Sequence, residues 1–470
     1  MSGAMLTQLL QSFIALSVFL LIGTFLRAVV PFFQKVFLPA SVIGGFLALL
    51  AGPIVWQGGG IPFPSEWITT WSALPGVLIV PVVASVPLGL KMGLKKTGNK
   101  KSSGKSSKNI ILMFCIVLIS AYAMALAGIG LNWIFSGMYD LYPVFGYELS
   151  LGFSGGHGTA GVIGSMLEAM GQPFWEISQG ITVATATAGL IGGTLLGIVY
   201  INIQARRGQT ALLKKPSEIP ADMLKGIQRD PALQKSTGSE TTMNSSIESI
   251  TFHLAVVLLA CGVAYLVMGF VRANQIPLIT QIPVWTYALL AMFGINYLIN
   301  KLGLTSLIDS KTKSRVSGTL TDYAIIAAIA SMPIQMVMQY ALPLVVMIIL
   351  GFVISYFAVI FLCKRLFKDD YHVERAAALW GVSTGVFITG MMLLKISDPE
   401  FESPVLNDLS IGFAVSGVVA FIILPIAVGM MIDLGLVISA LFKAALLLAL
   451  FIVMFITKRA RDRIKEGESS

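Results

Sequence analysis

The stretch with the most chemical potential is FSGGHGTA at 153–160, which interrupts an apolar run. Its three glycines disfavour a continuous helix, and non-helical backbone at membrane depth is tolerated only inside protein or beside a water-filled cavity. Free N–H groups near Gly158 and Thr159, where the next half-helix begins, can bind a carboxylate because the helix dipole favours an anion there. Exposed carbonyls can ligate a small cation, and the hydroxyls of Ser154 and Thr159 suit either task. The alternative is close helix packing through small residues.

His157 is the ionisable residue of this stretch. An ionisable group at membrane depth is a candidate functional residue, whereas the alternative is a neutral imidazole that holds the loop by hydrogen bonds. The sequence contains no HExxH motif, Cys/His pair or carboxylate cluster for a metal, and no Walker A motif for ATP. Ser154 near His157 is the only suggestive nucleophile and base. We therefore expect no enzyme and no cofactor.

A second glycine-interrupted stretch, GVSTGVFITG, lies at 381–390. Here Gly381, Ser383, Thr384 and Gly385 can form a loop that faces the first one. The G-x-x-x-G spacing is also common in packed membrane helices, so packing is the alternative interpretation.

Three acidic residues stand out because they lie within or beside apolar runs: Glu148, Asp322 and Asp433. A carboxylate at membrane depth can bind Na⁺ or a substrate ammonium group. Asp322 can equally be a residue at the start of a helix, at the membrane surface. Glu148 is predicted to lie at the interface of the first interrupted run.

The composition determines the kind of protein that carries these stretches. Hydrophobic residues make up 56% of the 470 residues, and charged residues only 12%. Soluble domains contain about 25% charged residues, and disordered chains have low hydrophobicity, so both classes are excluded. The net charge of +9 comes from basic residues in the gaps between apolar runs, a pattern typical of membrane topology and not of a nucleic-acid-binding face.

Charge then orients the apolar runs. About 20 apolar residues cross a bilayer, and the positive-inside rule places the lysine-rich segment 91–108 in the cytoplasm. This puts the N-terminus outside and the basic tail 458–470 in the cytoplasm. The hydrophilic linker 204–249 stays cytoplasmic only if the run 143–170 enters the membrane and returns on the same side. We therefore predict a re-entrant hairpin there.

The two halves of the chain repeat this order with opposite orientation. We predict an all-α membrane protein in which 1–203 and 250–457 form an inverted repeat. Each half has about five transmembrane helices plus a re-entrant hairpin, at 143–170 and 376–405. Paired interrupted segments at corresponding positions indicate a transporter site.

The apolar stretch 421–457 is too long for one straight span and short for two. Either two helices meet near Asp433, or one helix ends near Lys443 and a short one follows. The second half therefore has a possible extra C-terminal helix.

Four segments of the chain resemble the bacterial sodium/glutamate symporter family (the ESS family, related to the hydroxycarboxylate transporters): LPASVIGGF at 38–46, SGGHGTA at 154–160, GLIGGTLLG at 189–197 and MMIDLGLVISALFK at 430–443. The resemblance implies two inverted repeats with re-entrant hairpins, a homodimer surrounded by membrane lipids, and alternating access of the elevator type. It also implies uptake of L-glutamate coupled to Na⁺ in the bacterial inner membrane.

The second interrupted stretch departs from the glycine- and proline-rich pattern of that family. This leaves open another small carboxylate or amino acid as substrate, and coupling to protons. An ion channel is the alternative from a different class, because channels also use re-entrant loops. For Na⁺ we predict Asp322 and Asp433 as ligands. The predicted substrate-binding residues are Ser154, Gly155, Gly156, His157, Gly158, Thr159, Gly381, Ser383, Thr384 and Gly385.

Overall fold

A computed structural model describes most of the chain. The described residues are 3–35, 38–56, 59–89, 100–211, 225, 227, 230, 234, 236–243, 245–274, 284–368, 370–398 and 402–466. Much of the predicted linker 204–249 and the last four residues of the predicted tail lie outside this range. Within it, all regular secondary structure is helical, as the sequence predicts.

The described residues of the first half of the chain form eight helices. They are α1 Gly3–Val29, α2 Pro31–Lys35, α3 Ala40–Ala51, α4 Ser65–Ser85, α5 Lys100–Phe135, α6 Tyr147–Gly155, α7 Gly158–Ala169 and α8 Trp175–Arg206. In the second half, the residues that the structure describes form nine helices and a 3₁₀ turn at Leu304–Leu307. The helices are α9 Ser249–Ala273, α10 Val284–Lys301, α11 Ser310–Ala330, α12 Ile334–Met338, α13 Ala341–Leu366, α14 His372–Thr384, α15 Phe387–Ser397, α16 Val405–Asp433 and α17 Gly435–Glu466.

Eight helices of the described chain are long and apolar enough to cross a membrane: α1, α4, α5, α8, α9, α13, α16 and α17. The chain is therefore a multi-pass membrane protein. Helix α3 has only 12 residues, which span about 18 Å at 1.5 Å per residue, less than the hydrocarbon core of a bilayer.

Helix α3 is held by close packing at its glycines. A Cβ atom on Gly45 would lie 2.7 Å from Cβ of Ile329 on α11, and one on Gly44 would overlap the backbone of Phe19 on α1. The paired glycines of LPASVIGGF thus seat α3 between α1 and α11, so this motif acts through packing.

Each interrupted run is a pair of short helices. Helices α6 and α7, the first helix pair, lie inside the predicted hairpin 143–170. Helices α14 and α15, the second helix pair, begin earlier than predicted, at His372. Part of the segment that connects the second helix pair to α16 (399–401) lies outside the described residues.

At the C-terminus, α16 ends at Asp433 and α17 begins at Gly435. Gly435 has φ 82°, a left-handed conformation that favours glycine and separates two helices. Of the two interpretations of 421–457, two helices meeting near Asp433 is therefore the one observed. Lys443 lies inside α17, which continues to Glu466.

Candidate functional site

The tips of the two helix pairs lie against each other. Between α6 and α7, Gly156 adopts φ 64° and ψ −162°, a region of backbone space open almost only to glycine. A Cβ atom on Gly156 would overlap Cγ1 of Val386 and would lie 3.6 Å from the carbonyl oxygen of Gly385. The two glycine-broken stretches are therefore brought together, at a distance that leaves no room for a side chain on Gly156.

Both helix pairs pack against helix α8. A Cβ atom on Gly189 would lie 2.6 Å from the carbonyl oxygen of Thr384, and one on Gly193 would overlap Oγ1 of Thr384. On the first helix pair, a Cβ atom on Gly152 would overlap Oγ1 of Thr185 on α8. The segment GLIGGTLLG thus provides a smooth face on which α14 packs.

Thr159 closes the first tip. Its Oγ1 lies 2.8 Å from the carbonyl oxygen of Leu151 and 2.7 Å from that of Gly156, and its single proton is shared between these two acceptors. Its N–H also donates to Gly156, at 3.2 Å, so the free N–H predicted at Thr159 is occupied within the loop in this conformation. Gly155 lies against the Thr159 side chain, whereas the Cβ direction of Gly158 points into open space. There is therefore space beside Gly158 at this tip.

His157 is anchored to α8. It is 5% exposed, and its Nε2 lies 2.9 Å from Oγ1 of Thr187. The Thr187 hydroxyl donates its single proton to the carbonyl oxygen of Val183 at 2.9 Å, so it accepts from a protonated Nε2 of His157. This hydrogen bond holds the first tip on α8. Thr187 was not predicted from the sequence; the signal for it is the threonine-rich stretch TVATATA at 182–188 in an otherwise apolar helix.

Each helix pair carries a buried hydroxyl without a partner. Among the described residues, Oγ of Ser154 and Oγ of Ser383 are buried and form no hydrogen bond. Leaving such a group unpaired costs about 1–3 kcal/mol, and native structures contain few of them. Thr384, in contrast, donates to the carbonyl oxygen of Trp380 at 2.8 Å. Of the predicted hydroxyl groups, those of Ser154 and Ser383 thus remain available to a polar ligand.

The predicted glycines of the second helix pair support packing and the turn. A Cβ atom on Gly381 would lie 2.7 Å from Cα of Gly390, so α14 and α15 touch through these two residues. At the tip, a Cβ atom on Gly385 would lie 2.9 Å from Oγ1 of Thr389. Gly381 therefore allows close packing of α14 against α15, and Gly385 lies at the tip itself.

The two predicted Na⁺ ligands lie apart from these contacts. Asp322 is exposed on α11, and its Oδ1 accepts a hydrogen bond of 3.0 Å from Ser41 on α3. Asp433 is exposed at the last position of α16. In the described part of the chain, no three His, Cys, Asp or Glu side chains group as ligands for a metal.

A buried charged cluster lies at the base of the second helix pair. Arg375 is wholly buried, and its Nη2 lies 2.9 Å from Oδ2 of Asp408 on α16 and 3.7 Å from Oδ1 of Asp370. Asn109 donates to Asp370 at 2.9 Å and accepts from Arg461 of α17 at 3.2 Å. The cluster thus joins α5, α14, α16 and α17.

Comparison with known proteins identifies the family of this chain. The family model described as sodium/glutamate symporter matches residues 5–395. This range contains both helix pairs, apart from the last two residues of α15. It ends before α16 and α17. No curated protein sequence matches the chain. Because this family model covers most of the chain, the protein belongs to the sodium/glutamate symporter family, whose members are membrane transporters and not enzymes.

Proposed function

We propose that this protein takes up L-glutamate together with Na⁺ by alternating access. The observation that carries the proposal is the meeting of the two helix-pair tips at Gly156 and Val386. Each of these helix pairs also carries a buried hydroxyl group, of Ser154 or Ser383, that has no partner among the described residues. A site assembled from two broken segments, one from each half of a chain, is the arrangement typical of secondary transporters.

The substrate is proposed to bind through its carboxylates at these tips. Helix α7 begins at Gly158 and α15 begins at Phe387, so the N-termini of two helices lie next to the contact between the tips. Helix N-termini favour anions because of the helix dipole. Hydroxyl groups of Ser154 and Ser383 add donors that have no partner among the described residues. His157, Gly155 and Thr159 hold the first tip, and Thr384 holds the second helix pair on α8.

Na⁺ is proposed as the coupling ion, with backbone carbonyls as its main ligands. Helix α6 ends at Gly155 and α14 ends at Thr384, and the carbonyl end of a broken helix suits a small cation. Asp322 and Asp433, the carboxylates predicted from the sequence, are proposed as further Na⁺ ligands. They have weaker support, because both are exposed.

The order of elements supports an inverted repeat. Leaving out the short α2 and α12, the sequence α1, α3, α4, α5, first helix pair, α8 corresponds to α9, α10, α11, α13, second helix pair, α16. The packing is reciprocal, since α3 contacts α11 and α10 contacts α4. We propose that the helix pairs are re-entrant, that α17 is an addition to the repeat, and that the helix pairs move together in an elevator-type transition of a homodimer.

The orientation follows the positive-inside rule. We propose an inner-membrane protein with the N-terminus outside and the linker 204–249 and the tail 458–470 in the cytoplasm. Addition of a membrane-impermeant thiol label to single cysteines placed in these two segments, in intact and in opened cells, tests this orientation.

Ligand-dependent thermal stability tests the binding proposal. A ligand that binds the folded protein stabilises it by about 2.7 kcal/mol at one hundred times its dissociation constant. We expect L-glutamate to raise the melting temperature of the purified protein in Na⁺ but not in K⁺. Glutamine, succinate and aspartate serve as comparison ligands. If one of these ligands stabilises the protein and glutamate does not, that ligand is the substrate in place of glutamate. Equal stabilisation in Na⁺ and in K⁺ would exclude Na⁺ as the coupling ion.

A further inference from the structure

Glu148 is a buried acid that the proposed transport site does not use. It lies in the first turn of α6, is 1% exposed, and is fixed by two hydroxyl groups. Tyr142 Oη and Ser178 Oγ both donate to Oε1, each at 2.7 Å. The second carboxyl oxygen, Oε2, is buried and has no hydrogen-bond partner among the described residues.

The charged neighbours of Glu148 do not neutralise it. Tyr142, in the preceding loop, packs against Tyr340, whose hydroxyl donates to the backbone of Asp140 at 3.3 Å. Tyr147, the residue before Glu148, accepts a hydrogen bond of 2.8 Å from Lys443 of α17, whose ammonium group also lies over the ring of that tyrosine. Glu148 takes part in none of the ion pairs found in the described part of the chain.

An ionised carboxylate in such a place is costly. The penalty for burying a charge without a counter-ion is several kcal/mol, and buried acids avoid it by taking up a proton. The two donors at Oε1 leave Oε2 free to hold that proton. A metal cation would need several oxygen ligands, but Tyr142 and Ser178 present their hydroxyl protons to the carboxyl group and not their lone pairs.

We propose that Glu148 is a proton-binding site that couples movement of the first helix pair to protons. Oε2 takes a proton from water on one side of the membrane, and the neutral acid is buried as observed. When the helix pair moves away from Ser178 of α8, water reaches the carboxyl group and the same proton leaves to the other side. This extends the proposed transport function, because Na⁺ is then not the only coupling ion.

Infrared difference spectroscopy tests the proton site without relying on transport. The full-length protein in lipid vesicles is titrated across the neutral range, and we expect a band of a protonated carboxyl group that Glu148→Gln lacks. Asp140→Asn, which removes an exposed carboxylate from the neighbouring loop, keeps the band. In Ser178→Ala the carboxyl group remains but loses one donor that favours its ionised form, so the band persists to a more alkaline pH. An identical titration in wild type and Glu148→Gln would overturn the proposal.

Proton movement during uptake gives the second readout. With a pH-sensitive dye inside the vesicles, we expect substrate-dependent acidification in wild type and in Asp140→Asn, and at least a tenfold smaller signal in Glu148→Gln. Equal signals in all three variants would contradict the proton site while leaving Na⁺-coupled uptake intact. If the wild-type protein takes up no glutamate at all, the proposed function is contradicted. The infrared titration would then still show whether Glu148 binds a proton.

Discussion

Gly156 of the first helix pair and Val386 of the second lie in direct contact, so closely that a single methyl group on Gly156 would overlap the valine side chain. The two residues belong to opposite halves of the chain. Their contact makes the two tips one structural unit. Changes at one tip are therefore expected to affect the other.

The first prediction concerns Gly156→Ala. The glycine conformation with φ 64° and ψ −162° costs about 1–3 kcal/mol for other residues, and the added methyl group also displaces Val386. We expect at least a tenfold loss of glutamate uptake in vesicles, with a lower melting temperature. The control is Gly130→Ala on α5, where a methyl group meets nothing within 4 Å. Uptake in Gly156→Ala equal to that of the control would contradict the importance of the contact.

The second prediction concerns the two unpaired hydroxyls. Ser154→Ala and Ser383→Ala remove no hydrogen bond found within the described part of the chain, so their melting temperatures should not fall. Each loses a donor to the substrate, worth about 1 kcal/mol, or roughly a fivefold weaker affinity. Isothermal calorimetry in Na⁺ measures this. Ser416→Ala, whose hydroxyl donates to Phe413 of its own helix, is the control with unchanged affinity. Wild-type affinity in both tip variants would exclude these serines from the site.

A third prediction follows from the hydrogen bond between His157 and Thr187. If its role is to hold the first tip, His157→Phe and Thr187→Val each destabilise the protein by about 1–3 kcal/mol. The double variant should then cost less than the sum of the two, by about 0.5–3 kcal/mol. Chemical denaturation of the four proteins in detergent completes this cycle. Fully additive losses would mean that the 2.9 Å contact stabilises nothing.

The fourth prediction concerns the buried ion pair between Arg375 and Asp408. Asp408→Asn leaves the buried arginine without its nearest anion, and breaking a buried pair costs about 3–5 kcal/mol. The double variant Arg375→Met with Asp408→Leu should recover much of this loss, because neither charge remains. Lys364→Met, at an exposed position of α13, controls for the loss of a single charge. A melting temperature of Asp408→Asn within 1 °C of the wild type, roughly the shift from a few tenths of a kcal/mol, would refute the structural role of the pair.

The sequence predicts those parts of the site that depend on local chemistry. The glycine-rich stretches around Gly156 and Gly385 disfavour a continuous helix, so both interrupted runs can be predicted without a structure. The partners contributed by distant segments are not visible. Thr187 meets His157 only because α8 packs against the first helix pair, and Asp408 meets Arg375 only through the position of α16.

The same distinction holds for the C-terminal region. The sequence offers two interpretations of 421–457, because apolar composition alone gives no boundary inside a long hydrophobic stretch. The left-handed conformation of Gly435 fixes the boundary next to Asp433. Lys443 gave the sequence a reason to end a helix there, but its ammonium group is buried over the rings of Tyr122 and Tyr147. An aromatic cage of this kind replaces water around a cation, so the helix continues.

Uptake of labelled L-glutamate into vesicles that contain the purified protein tests the central claim most directly. With an inward Na⁺ gradient, we predict that glutamate accumulates above its outside concentration, and that replacing Na⁺ by K⁺ abolishes the accumulation. Ser154→Ala combined with Ser383→Ala should lower it at a fixed, subsaturating glutamate concentration. Glutamate that only equilibrates across the membrane would indicate a channel, and accumulation that persists without any Na⁺ gradient would contradict a sodium-coupled symporter.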